Sequence, residues 1–179
     1  MRMTTADIAS GAATVLVPAH GGQGPYTPAT QRKSAAVNNR TINHNCEAMR
    51  LFEKCINTNG LELGHKLIAE TAAFDTPVSP TPFYGAEGYL GVVSLMRKSF
   101  PDVQWKLVDM VADEKTVAVQ WECSGTFNGE APFAGLQPNG RRFSTTVMNF
   151  YSFDDEGKIC KDVAATGIAG ILQGIGALP

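Results

Sequence analysis

Residues 116–127 read TVAVQWECSGTF. Alternation puts Val117, Val119, Trp121, Cys123, Gly125 and Phe127 on one face and Ala118, Gln120, Glu122 and Ser124 on the other, because successive strand side chains point to opposite sides of a sheet. The apolar set is expected to point inward. Three further runs rich in β-branched and aromatic residues read as strands: VQWKLVDMVAD (103–113), RRFSTTVMNFYSF (141–153) and KICKDVAAT (158–166). They are separated by DEK, by the Gly/Pro loop NGEAPFAGLQPNG and by DDEG. Connections this short imply neighbouring antiparallel strands. Asn139-Gly140 is a strong hairpin pair ahead of Arg141 and Arg142, which accounts for PNGRR without a phosphate or nucleic-acid site.

Upstream of the strands the period changes. Ile42, Cys46, Met49, Phe52 and Ile56 recur at three- and four-residue steps, with Ala48, Leu51 and Cys55 widening the stripe, which predicts a helix from Thr41 to about Asn57. LELGHKLI (61–68) reads as a shorter helix and AAFDTPV (72–78) as a short strand stopped by proline. GAEGYLGVVSLMRKSF (85–100) reads as a second amphipathic helix, with Glu87 in its first turn, Arg97 and Lys98 in its last, and Pro101 beyond. The tail IAGILQGIGALP has a helix-like start weakened by Gly170, Gly174 and Gly176. Residues 1–40 lack either periodicity and are expected to be a loose extension, with VLVP as one possible short strand. Helices first and a meander afterwards give an α+β class, a curved antiparallel sheet wrapped around N-terminal helices over residues 41–179, with a cleft where the helices do not fill it.

Composition narrows the partners. The chain has 179 residues, 44% of them hydrophobic, enough for one sizeable core. Fifteen Lys and Arg against 17 Asp and Glu leave a net charge of −2, which gives no reason to expect nucleic acid or an anionic membrane surface. No apolar run approaches the roughly 20 residues of a membrane span. Cys46, Cys55, Cys123 and Cys160 form no CxxC pair and no zinc-like spacing with His20, His44 and His65, so reduced thiols, no metal and a cytoplasmic location are expected.

The block GAEGYLGVVSLMRKSFPDVQW, followed by TVAVQWECSGTFNGE, GLQPNGRRF, DEGKI and the terminal ILQGIGALP, resembles the SnoaL-like polyketide cyclases and their ester-cyclase relatives from about residue 42 onward. The resemblance implies the cone-shaped α+β barrel of the nuclear transport factor 2-like superfamily, shared with ketosteroid isomerase and scytalone dehydratase. It also implies a homodimer, an apolar pocket, a hydrophobic small-molecule substrate and no cofactor. Where the family commonly writes Gly-Thr-His, this chain has Gly125-Thr126-Phe127. An ungapped reading from GKI puts Gly167 where many cyclases carry an acid/base aspartate, and Val163 where a bulky residue is usual.

Asp75 falls where the family often has a histidine, and a carboxylate on an apolar cavity wall has its pKa raised toward a useful general base; capping the turn before Thr76 and Pro77 is its structural alternative. Asp162 is a second candidate. In KICKDVAAT, Ile159, Lys161, Val163 and Ala165 share one face and Cys160, Asp162 and Ala164 the other, so Asp162 is expected in solvent beside Lys161 unless a bulge rotates it inward. Lys161, on a cavity face, would stabilise an oxyanion; a snorkelling surface lysine is the alternative. In VMNFYSF, Met148 and Phe150 lie opposite Val147, Asn149, Tyr151 and Phe153, and alternation does not say which set faces in. Asn149 and Tyr151 are candidate donors to a substrate carbonyl. Trp121, Phe127, Met148, Val163 and Met96 are candidate shape-setting residues of the pocket. The expected function is a cofactor-independent cyclase, isomerase or lyase that moves protons on a hydrophobic carbonyl compound or steers its cyclisation by cavity shape. A non-catalytic barrel that binds a hydrophobic ligand or a protein partner is the alternative.

Overall fold

The computed structural model describes residues 28–74, 81–165 and 167–179. VLVP and Asp75 lie outside the described residues. Helix α1 spans Pro28–Thr58, α2 Leu61–Leu67, α3 Gly85–Ser99 and α4 Gly167–Ile175. Strand β1 spans Ile68–Phe74, β2 Phe83–Tyr84, β3 Gln104–Ala112, β4 Thr116–Thr126, β5 Arg142–Phe153 and β6 Ile159–Ala165. The first helix begins at Pro28 rather than at Thr41. Residues 28–40 carry no apolar stripe, but they are rich in Ala, Gln, Lys and Arg behind a proline at the first helical position, and extending a helix already nucleated by its packed half costs little.

The six strands form one sheet in the order β2-β1-β6-β5-β4-β3. The meander β3 to β6 is antiparallel, as its short connections require, but β1 joins β6 in parallel, so the sheet is mixed rather than antiparallel throughout. This correction has a topological cause: a whole helix and four strands separate β1 from β6, and a connection that long leaves strand direction free. The sheet is open at β2 and β3, and wraps the helices in an α+β cone.

The inner face of β4 is the one expected: Val117, Val119, Trp121 and Cys123 are buried. Opposite it α1 presents Met49, Phe52, Cys55 and Ile56, all buried, whereas Leu51, on the flank, is 40% exposed. The Asn57 side chain acts as a strand partner for Trp105, donating through Nδ2 to its carbonyl at 2.6 Å and accepting from its N–H at 2.9 Å. Arg97 donates to the carbonyls of Ile56, Asn57 and Val103 at 2.8, 2.9 and 3.0 Å, so carbonyls left free at the end of α1 are satisfied and α1, α3 and β3 are tied together.

The glycines of the tail are contact residues rather than helix breakers. Gly167, Gly170 and Gly174 face β5 so closely that a Cβ on them would overlap Val147, Thr145 and Phe143 respectively. Their backbone therefore seats α4 directly on the strand. Gly91, on α3, has nothing within 4 Å of such a Cβ. Gly170→Ala is expected to destabilise the protein by about 1–3 kcal/mol through overpacking. Gly91→Ala should stabilise it by about 0.5–1 kcal/mol through helix propensity. Urea unfolding of the two variants checks the pair, and two changes of the same sign would contradict the packing of α4.

Candidate active site

A cavity of about 180 Å³ lies between α3 and the concave face of the sheet. One wall is apolar, built from Ile56 of α1, Val92, Val93 and Met96 of α3, Trp105 of β3 and Trp121 of β4. The other wall is polar: Tyr89 of α3, Asn149 and Tyr151 of β5, and Asp162 of β6.

Asp162 reaches the cavity because β6 is irregular. Ser152 pairs with Lys161 and Phe153 with Ile159, so Cys160 has no partner of its own on β5. One extra residue reverses the side-chain parity beyond it. Ile159 is fully buried before the bulge, while after it Asp162 faces in, and Lys161 and Val163 are exposed. Asp162 stands opposite Phe74 on β1 and Tyr151 on β5, both buried. The solvent position expected for it by simple alternation is thereby corrected. On β5 the inward set is Val147, Asn149 and Tyr151, and Met148 is 43% exposed on the outer face.

Asn149, itself buried, donates from Nδ2 to Asp162 Oδ1 at 2.6 Å. Burial pushes the Asp162 carboxyl up to about 6, against the pull of that hydrogen bond toward the ionised form. Tyr89 and Tyr151 both titrate well above the ordinary phenol range, first because they are buried and further because neighbouring negative charge opposes ionisation, that of Asp162 for Tyr89 and those of Tyr89 and Asp162 for Tyr151. The two phenols therefore remain protonated donors at any physiological pH. The Trp121 ring meets Tyr151 edge-on at 6.4 Å between centroids, and among the described residues its buried Nε1–H has no partner at hydrogen-bonding distance and angle.

Several candidates are thus brought together: Asp162, Asn149, Tyr151, Trp121 and Met96. Lys161, Met148 and Val163 stand on the exposed side of the sheet, away from the cavity. Phe127 is fully buried but in a different place. It packs 5.2 Å from Phe100, which also meets Phe133 at 5.0 Å and Phe143 at 5.1 Å, in a separate cluster that includes Ile171 and Ile175 of α4. Phe127 fills a second core and does not line the pocket. Tyr89 and Trp105 were not read from the sequence as site residues. The signal for Tyr89 is its helical spacing with Val93 and Met96, which places all three on the face of α3 that meets the sheet. Among the described residues no group of three or more His, Cys, Asp or Glu is arranged to hold a metal, and no helix is long and apolar enough to cross a membrane.

The sequence profile of the SnoaL-like polyketide cyclases matches residues 46–173. The chain belongs to the SnoaL-like polyketide cyclase family. IdmH from Streptomyces antibioticus, a candidate polyketide cyclase, is 26% identical, with 74% of this chain and 98% of IdmH covered at a TM-score of 0.63. AclR from Streptomyces galilaeus, a candidate hydroxylase, is 21% identical, with 77% and 88% covered at a TM-score of 0.64. A candidate SnoaL-like polyketide cyclase from Jannaschia is 17% identical, with 78% and 96% covered at a TM-score of 0.65. No curated protein sequence matches the chain.

Gly167 opens α4, and a side chain there would run into Val147 of the cavity wall. Asp162 is the carboxylate that the described cavity contains. Its pKa lies above the value of about 3.9 for a free aspartate, so the folded state holds the proton more tightly. The ionised group therefore opposes folding at high pH, and the penalty is relieved as pH falls from about 6 toward 4. Asp162→Asn is expected to stabilise the protein at pH 8, by on the order of 2–3 kcal/mol, and to change little at pH 4. Denaturant unfolding at the two pH values checks this, and equal effects at both would place the carboxylate in solvent.

Proposed function

We propose that this protein is a cofactor-independent enzyme that transfers protons on a neutral, hydrophobic carbonyl compound, in the manner of a cyclase or isomerase. The observation that carries the proposal is an aspartate with a raised pKa, held by one amide, in a cavity otherwise lined by apolar groups and protonated phenols. Asn149 fixes one carboxylate oxygen, and the second, with no hydrogen bond from the described residues, can act as a base. That oxygen would take a proton from the carbon beside the substrate carbonyl: the C–H bond breaks, an O–H bond forms on Asp162, and the electron pair moves onto the carbonyl oxygen. The Tyr89 and Tyr151 hydroxyls are the donors for the resulting enolate oxygen. The protonated Asp162 then returns the proton to another atom of the enolate, or the enolate carbon forms a C–C bond to a second carbonyl, whose π bond breaks to an alkoxide that takes the proton back from Asp162 and so frees the carboxylate. Asp75 lies outside the described residues and is proposed only as a further ionisable group of the same site.

The buried Phe127 and the side-chain-free Gly167, at positions where family members commonly carry polar groups, favour one second reading, a barrel that binds a hydrophobic ligand without turnover. The homodimer implied by family resemblance has a candidate surface on the outer face, where Val111, Ala118, Phe150 and Val163 align across four strands and Val111, Phe150 and Val163 are 69%, 53% and 51% exposed. Sedimentation at monomer mass would exclude it.

Hydrogen–deuterium exchange of 2-tetralone in D2O, followed by NMR, tests the proton transfer without knowledge of the natural substrate. The wild-type protein is expected to accelerate exchange at the carbons beside the carbonyl, with a rate that rises as Asp162 ionises through about pH 6. Asp162→Asn should lower the acceleration by about 10²-fold or more with little loss of ketone binding. Equal rates in the two proteins would remove Asp162 from the mechanism, and binding without any acceleration would favour the ligand-binding reading.

A further inference from the structure

The carboxylate in the cavity has no cationic partner among the described residues. Among its described lining residues there is no lysine, arginine or histidine, and the only polar side-chain contact of Asp162 described is the neutral Asn149 amide. Arg97 neighbours the wall through Trp105, with its guanidinium 5.9 Å from the ring centroid, but that group is committed to the carbonyls of Ile56, Asn57 and Val103. Asp162 is half-buried, and a carboxylate even partly removed from water without a counter-ion is costly, so a ligand that supplies the missing positive charge relieves that cost. Around it stand the aromatic rings of Phe74, Tyr89, Trp105, Trp121 and Tyr151, whose faces attract a cation and repel an anion. Size is the second restriction. An apolar cavity of about 150 Å³ holds a benzene ring, so the volume of about 180 Å³ encloses one ring, or two fused rings in part.

We infer that this pocket selects its ligands by charge, taking a protonated amine on a one- or two-ring apolar body most tightly, the neutral counterpart less tightly, and rejecting the carboxylate. The inference rests on the proposed placement of Asp162 as the working group of the site, but it concerns binding and not turnover. In a cell, such an amine would be a competitive ligand against the neutral carbonyl substrate. Carboxylate- and phosphate-bearing compounds of the same size would have to be neutralised, by esterification or dephosphorylation, before they could enter.

Isothermal titration of the wild-type protein at pH 8 with three probes of one ring system tests this: 2-naphthylmethylamine, 2-naphthalenemethanol and 2-naphthoate. The expected affinities fall in that order, with each step at least about tenfold, the size of effect that an unpaired buried charge confers. In Asp162→Asn the order should collapse to within about threefold, because the rings remain and the charge is gone. Naphthoate binding as tightly as the alcohol, an order that survives in Asp162→Asn, or no binding of any probe would each overturn the inference. The readout needs no turnover. Ketone exchange that persists in Asp162→Asn would defeat the proton-transfer proposal and leave the charge order standing, whereas equal binding of the three probes would defeat the charge order and leave the exchange result untouched.

Discussion

One unpaired residue in β6 decides what the cavity can do. With a regular ladder from Ile159, the inward positions would be Lys161 and Val163, and the pocket would hold a cation and a branched aliphatic group. The bulge at Cys160 exchanges the two faces, so the inward group is Asp162 and the lysine goes to solvent. The neighbours are then set by register: Tyr151 and Phe74 lie directly opposite Asp162, and Asn149, two residues before Tyr151, shares its face. The charge, the amide that holds it and the phenols beside it all follow from that local irregularity.

The rest of the fold keeps the cavity from filling. Two cores occupy different parts of the cone: one beneath α1 and α3, which contains the pocket, and one around Phe100, Phe127 and Phe143 beneath α4. In the second, α4 rests on β5 through glycines, and Ile171 and Ile175 pack in the cluster of phenylalanines. The first is held open from behind. Asn57 and Arg97 bind backbone groups at the α1–β3 junction, which fixes Trp105 as a wall and not as a plug. Apolar surroundings thereby remain around Asp162, and they are what raises its pKa.

Most of the fold was legible in the sequence because it rests on periodicity. The strict alternation of residues 116–127 and the three- and four-residue steps from Ile42 to Ile56 report burial directly. The start of α1 was not legible, since residues 28–40 show no helical period of apolar residues in the sequence. The parallel pairing of β1 with β6 was also hidden, because a contact between distant segments leaves no mark in either. In the site, Asn149, Tyr151, Trp121 and Met96 could be picked out by type, but the facing of Asp162 could not. A bulge changes hydrogen-bond partners without changing composition, and KICKDVAAT reads the same with or without one. Phe127 misled for a related reason: alternation correctly placed it inside, but inside here comprises two cores and only one contains the cavity.

The most direct measurement is the titration of the Asp162 side-chain carboxyl by carbon-13 NMR, assigned by comparison with Asp162→Asn. A carboxylate turned into the cavity by the bulge and held by Asn149 is predicted to titrate near pH 6. A midpoint at the ordinary value of about 3.9 would contradict the account, since it would mean that Asp162 lies in water and that β6 presents its other face to the pocket.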